Sequence, residues 1–483
     1  MAGMTKRIAP TQQTETRSAV ERIGAFAVAA RPEHLSADIR QLFKRNILDS
    51  IGCAIAAVSG PSLQSLRDQI EEYRAPGRCT LIGGGGKTSP DQAALFNSAL
   101  VRYVDLLDSY MAQGGLCHPS DNFGSILAAA EYVGASGEEF MLALAAAYEI
   151  QCRFTACVPV MAKGFNHAIQ LAISAAAGAG RLFGLSVNEL ANAIAIATVD
   201  NISLTCVHAE PVSQWKGFSP GITGMRAVYA VSLAKRGFTG PKGLFEGPYG
   251  LEQMFAQPIP VDWEDPSLGI VKQTIMKKYC SLIHGQPVLE AVLDLKRRHS
   301  LTADEIEHVR CNVFKPAFDF AGGGSFGSKD HPAIKEQGDY NLKYLVAAAL
   351  LDDQVGPAQL EELRIQAPDA QALLKRVEVH PDERFSARYP GELSASVTIR
   401  TKDQCVYAKE QHGYEGGLNN PISWERTIEK FHWLSEPFAD EDLRNKIINI
   451  VQQLDVRPIS DLMALLAQVR CTAVFPRTHP GIQ

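Results

Sequence analysis

The chain has 483 residues, 46% of them hydrophobic and 21% charged, with a formal net charge of −6. That length exceeds what one core covers well and implies two domains. The negative balance is spread without a basic arm, which excludes nucleic acid as a partner and requires any positive site for an anion to be local.

Residues 1 to about 16 read as a loose polar leader. The run "IGAFAVAARP" from Ile23 imitates a secretory signal, but it follows Glu21-Arg22 and continues a helical pattern, so a core helix is predicted. No apolar run reaches the ~18 residues of a membrane span. The ten cysteines stand singly, the nearest two being Cys152 and Cys157, and neither CxxC nor a Cys/His cluster of zinc spacing occurs. The expectation is a cytoplasmic protein with reduced thiols, no metal and no membrane partner.

From Glu15 to about Lys235 the text is almost wholly helical. "LSADIRQLFKRNILDSIGCAIAAV" follows a Ser36 cap, and "SPDQAALFNSALVRYVDLLDSY" starts with Ser89 and a Pro in its first turn. Then come "GEEFMLALAAAYEIQCRF", "HAIQLAISAAAGAGRLFGLS", "NELANAIAIATVDN" and "GITGMRAVYAVSLAKRG", rich in Ala and Gly and apolar nearly all round. Such helices belong at the centre of a bundle. Near Ile270 the period changes to two in "EIEHVRCNVF", "LLKRVEVHP", "LSASVTIRT" and "QCVYAKEQ", which predicts strands interleaved with helices. Beyond "GYEGGLNNP" helices return. The fold class read from these patterns is mainly α, with helical text to residue 269, an α+β domain at 270–410 and helices again at 411–483 that could belong to either domain.

Two Gly-rich stretches imitate nucleotide loops. "LIGGGGKTSP" fails the P-loop pattern because Leu81 stands where Gly is required, and a tight turn is predicted. "GGGSFG" from Gly322 satisfies G-x-G-x-x-G but precedes "SKDHPAIKEQ", not a small-residue helix, so a mobile loop is predicted.

The stretch "VDLLDSYMAQGGLCHPSDNFGSILAAAEY" puts two acids, Asp105 and Asp108, at one helix end and His118-Pro119-Ser120-Asp121 at the next helix start. With "KGFNHAIQLAISAAAGAGRLFGL", "WKGFSPGITGMRAVYAVSLAKRGFTGP", "MKKYCSLIHGQPVLEAV" and "DYNLKYLVAAALLDDQV" in that order, it resembles the MmgE/PrpD family over about residues 18–470. The resemblance implies a large helical domain built from both chain ends, 1–269 and 411–483, a smaller α+β lid at 270–410, a site between them, a homodimer, no cofactor, and a small polycarboxylate substrate. It assigns His118, Lys216, His284, Tyr344 and Asp105 to catalysis, and Asp108, Ser109, Ser120, His167 and Gln286 to substrate binding. His284 with Gln286 points to the dehydratase branch, of the 2-methylcitrate type. Decarboxylation of cis-aconitate, epimerisation of an amino-dicarboxylate, and a non-catalytic binding protein are the alternatives. Leu107, Cys117, Asn166 and Cys280 depart from the family's usual residues.

Chemistry of that kind removes a proton beside a carboxylate and needs cations and N–H dipoles aimed at the enolate-like charge. The Ser120 helix start offers such N–H groups, His118 adjoins it, and Lys216 follows Trp215, whose ring is expected to hold the ammonium.

Overall fold

The computed structural model describes residues 17–73, 75–113 and 115–474; the polar leader lies outside the described residues. Ala19–Ala29 forms α1, with Glu21 Oε2 accepting from the Ser18 backbone N–H at 3.0 Å. Its Ile23, Phe26 and Ala27 are buried, so the signal-like run is core. Among the described residues no helix is long and apolar enough to cross a membrane.

The helices that matter for the site are α2 (Ala37–Ala57), α3 (Pro90–Tyr103), α4 (Phe123–Val133), α5 (Gly137–Cys157), α6 (Ala168–Leu182), α7 (Val187–Val199) and α8 (Trp215–Ala234). Helix α8 is central and packs on α3, α6 and α7, while α3 also packs on α2 and α4. Small residues set these distances. A Cβ on Gly221 of α8 would lie 2.8 Å from the Leu95 carbonyl of α3, and one on Gly124 of α4 would lie 2.2 Å from the Ser98 nitrogen. The Ala- and Gly-rich text thus brings backbones together where larger side chains would hold them apart.

After Gln286–His299 (α9), all four predicted strands appear: β1 (Ile306–Val313), β2 (Val377–Pro381), β3 (Ser394–Thr401) and β4 (Val406–His412), with α10 (Leu342–Asp352) between the first two. They form one mixed sheet in the order β2-β1-β3-β4. β1 pairs with β2 in parallel, Val309 opposite Val377, and antiparallel with β3, Cys311 opposite Val397. Helix α9 lies against β3 and β4, and α10 against α9 and β2. The chain then returns to α11 (Trp424–Ser435), which packs along α2, and a later helix, Ile459–Leu466, touches α4. The fold is mainly α with a small mixed sheet.

Neither Gly-rich stretch is a phosphate cradle. The N–H groups of Gly83 and Gly84 are taken by the carbonyls of Leu466 and Val469, and Arg67 donates to the carbonyls of Ile82 and Gly83. In "GGGSFG" the Phe326 ring stacks on Phe320 at 4.2 Å, and the Phe326 carbonyl accepts from the Glu210 N–H at 2.8 Å. The expected mobile loop is tethered by these contacts.

Candidate active site

Helix α3 ends at Tyr103, and the chain reverses at Asp105, whose φ of 48° is left-handed. A hairpin pairs Tyr110–Ala112 with Gly115–Cys117, and one 3-10 turn, Pro119–Asn122, leads into α4. Asp108 fastens this bend. Its Oδ1 accepts from the Ser120 N–H (2.9 Å) and hydroxyl (2.6 Å), and its Oδ2 from Asn46 Nδ2 (3.1 Å) and the Tyr148 hydroxyl (3.0 Å). Burial outweighs these donors and pushes the Asp108 carboxyl up to about 6.

His118 Nδ1 lies 2.8 Å from the Asp108 carbonyl and 3.0 Å from Ser109 Oγ. A carbonyl only accepts, so Nδ1 carries the hydrogen and Nε2 keeps its lone pair. Burial first, then the nearby Arg102 and Lys277 charges, hold this imidazole well below its ordinary range, and therefore neutral. The bend presents a neutral histidine with an open acceptor nitrogen.

Asp105 gathers three cations. Arg102 Nη1 is 2.5 Å and Lys277 Nζ 2.6 Å from its Oδ1, and Lys216 Nζ is 3.2 Å from its Oδ2. All four side chains are buried. Despite burial, the charges of Arg102, Lys216 and Lys277 hold the Asp105 carboxyl well below the carboxylate range. Burial lowers both lysines in turn, Lys277 to about 8. Lys216 Nζ also lies 2.6 Å from Asp339 Oδ1 and 3.7 Å from the centre of the Tyr340 ring. Asp339 Oδ2 pairs with Lys335 at 2.8 Å. Residues from α3, α8 and two later segments thus meet in one charge network, and low polarity makes each pairing count for more than it would in water.

Beside it, the His167 ring meets His118 edge-on at 5.0 Å, and His208 stacks on Tyr340 at 5.1 Å. His284 is buried among Phe314, Phe320 and Tyr389, and burial, helped by Lys277, pulls its imidazole down to about 3. Among the described residues no group of three or more His, Cys, Asp and Glu side chains is placed to hold a metal ion.

Two family models match the chain. The MmgE/PrpD N-terminal domain matches residues 21–264, and the MmgE/PrpD C-terminal domain matches residues 279–456. The chain belongs to the MmgE/PrpD family. A cis-aconitate decarboxylase-like protein of Aspergillus oryzae is 23% identical over 95% of this chain and 99% of its own length. The 2-methylcitrate dehydratase of Escherichia coli K12 is 27% identical over 71% of this chain and 74% of its own. Cis-aconitate decarboxylase of Aspergillus terreus is 25% identical over 92% and 94%.

For this MmgE/PrpD chain the structure brings Asp105, Ser109, His118, His167 and Lys216 together, and it relocates several other expected residues. Tyr344 is not in the cluster: its hydroxyl donates to the Gln359 carbonyl, and Tyr340, four residues earlier in the turn before α10, takes the place beside Lys216. Gln286 is saturated by its own loop, accepting from the N–H groups of Lys278 and Tyr279 and donating to the Tyr279 carbonyl and Ser281 Oγ. It shapes the loop and offers a ligand no free group. Ser120 spends both donors on Asp108, so its N–H is not available to a substrate carboxylate. The ring holding Lys216 is Tyr340; Trp215 is 54% exposed. Sequence reasoning passed over Arg102, Lys277, Asp339 and Tyr340. The signal for Lys277 was a Lys-Lys pair at the entry of an apolar segment, and for Asp339-Tyr340 a polar pair before an Ala-rich helix.

Proposed function

We propose that this protein is a cofactor-independent lyase that dehydrates a small polycarboxylate of the 2-methylcitrate or citrate type. The observation that carries the reading is the convergence of Arg102, Lys216 and Lys277 on Asp105 beside a neutral His118. A polycarboxylate entering there exchanges its negative charge for that of Asp105, and one carboxylate gains cations that also stabilise the enolate-like charge. His118 Nε2 is the open acceptor for the proton removed beside that carboxylate, with its ring fixed by the Asp108 carbonyl. In this reading the helical part and the α+β part work as base and lid, since Lys216 and Asp105 come from one and Lys277, His284, Asp339 and Tyr340 from the other. The working unit is a homodimer. Its face is the outward stripe of α8, where Trp215 and Tyr229 are 54% and 56% exposed and Phe218, Ile222 and Met225 are half-buried.

Decarboxylation of cis-aconitate is the second reading, supported by relatives so named that align over nearly the whole chain. Incubation with 2-methylcitrate, citrate and cis-aconitate, followed by proton NMR, separates the two. Water loss from a citrate-type substrate supports the first, carbon dioxide release from cis-aconitate the second. Turnover of none of them would leave a binding protein and sink both.

A further inference from the structure

The two histidines that meet edge-on are held by different groups. His118 is held by a backbone carbonyl through Nδ1. His167 Nε2 points to a carboxylate, lying 3.3 Å from Asp121 Oδ2, off the direction a hydrogen bond needs. Neither nitrogen of His167 and neither oxygen of Asp121 has another hydrogen-bond partner, although the two residues are 3% and 0% exposed. A buried carboxylate without a donor is costly, and a buried imidazole with an open nitrogen equally calls for a partner. A small rotation of the His167 ring completes the pair and leaves Nδ1 for a bound molecule. The other charged or titratable groups around this pair are His118, His208 with its ring 6.5 Å from His167, and Arg102, whose charge acts on Asp121.

We propose that Asp121 is a positioning residue that makes His167 the acid of a water-losing step, an assignment that rests on the dehydratase reading above. Elimination needs a base and an acid in one site, and these two histidines differ in the required way. The Asp121 carboxylate can accept from the His167 N–H that faces it and so aim Nδ1 at a bound molecule, whereas the Asp108 carbonyl takes the His118 Nδ1–H and leaves its Nε2 open. In the step, His118 Nε2 takes the proton beside the substrate carboxylate, and that C–H pair becomes the C=C bond. The C–O bond breaks, and the leaving oxygen takes a proton from His167 Nδ1 to depart as water. The proton on His118 returns through solvent to His167, so the protein ends unchanged. Loss of carbon dioxide releases no hydroxide, and the carbanion it leaves takes its proton on carbon, so protonating a leaving oxygen is the task particular to the water-losing step.

The test is proton NMR in deuterium oxide, with 2-methylcitrate and citrate, on the wild type, Asp121→Asn and His167→Asn. It reads deuterium exchange beside the carboxylate separately from formation of the alkene. Both variants should lose at least about a hundredfold in elimination, the scale of a general acid, while exchange continues. Asp121→Asn with native elimination would overturn the inference, as would parallel loss of exchange and elimination in both variants. A wild-type protein that releases carbon dioxide from cis-aconitate and eliminates no water overturns the dehydratase reading itself.

Discussion

The Lys277 ammonium lies 2.6 Å from Asp105 Oδ1, and both side chains are excluded from solvent. With Arg102 on the same oxygen and Lys216 on the other, one carboxylate touches three cations, and Lys216 is shared with Asp339. On the proposed reading, an incoming polyanion competes with Asp105, and what it gains in the transition state depends on these cations staying in place.

Lys216 tests that dependence. Lys216→Ala should cost about 3 kcal/mol or more of transition-state stabilisation, seen in kcat as well as kcat/KM. Lys216→Arg should recover little, because a planar fork does not fit where a compact ammonium sits between Asp339 and the Tyr340 ring. Steady-state kinetics showing a rise in KM alone would make Lys216 a docking group.

His118→Ala should abolish most turnover. It also strips partners from the Asp108 carbonyl and Ser109 Oγ, so a stability loss of about 1–3 kcal/mol is expected in urea titrations. Normal turnover per folded molecule would show that the histidine is structural.

The two tyrosines should separate cleanly. Tyr344→Phe removes one hydrogen bond to the Gln359 carbonyl and should lower stability by about 1 kcal/mol with kcat unchanged. Tyr340→Leu removes the ring beneath Lys216 and the stack on His208, and should reduce kcat. The opposite pattern in kinetics and thermal melts would restore Tyr344 to the site.

Acid should destabilise the protein through its buried histidines. His284 is held down to about 3 against an ordinary 6.5, so below pH 6.5 the unfolded chain binds a proton that the folded chain refuses. Stability from this group is whole above that pH and is lost as pH falls toward 3. Asp108 acts oppositely: pushed up to about 6 from 3.8, it keeps its proton when folded and is penalised as pH rises through that window. His284→Asn should therefore flatten the decline between pH 6.5 and 5 by up to about 1.4 kcal/mol per pH unit. Urea midpoints with identical pH slopes in both proteins would mean that His284 titrates normally.

Tyr229→Glu places a charge in the exposed apolar stripe of α8, far along the helix from Lys216. Light scattering should then report the mass of one chain where the wild type reports two. An unchanged dimer would move the interface elsewhere.

How far the sequence could be read depends on the kind of signal. The strands and the Ala-rich helices were legible because period and composition are local properties, and Gly124 or Gly221 announces close packing by its mere presence. His118 and Lys216 were reached through motif order. What periodicity could not supply was orientation. Tyr340 lies in the turn before α10 and Tyr344 inside it, and only the tertiary packing decides which faces Lys216. Likewise Gln286 looks like a ligand group until its four contacts with the 278–281 loop are seen, and Ser120 until Asp108 is found occupying it. Arg102 reads as an ordinary helix-end arginine without its partner three residues on.

Asp105 combines two demands in one residue. Its backbone sits at φ 48°, a region that Asp and Asn enter readily and that Glu, Ala or branched residues enter only with strain. The three cations, meanwhile, require a negative charge. Aspartate meets both, and Asn, which enters that region as readily, is uncharged. Drift at this position is consequently channelled: a descendant that has abandoned its chemistry can keep the fold by passing to Asn. One that keeps the chemistry proposed above has to keep the charge as well as the bend.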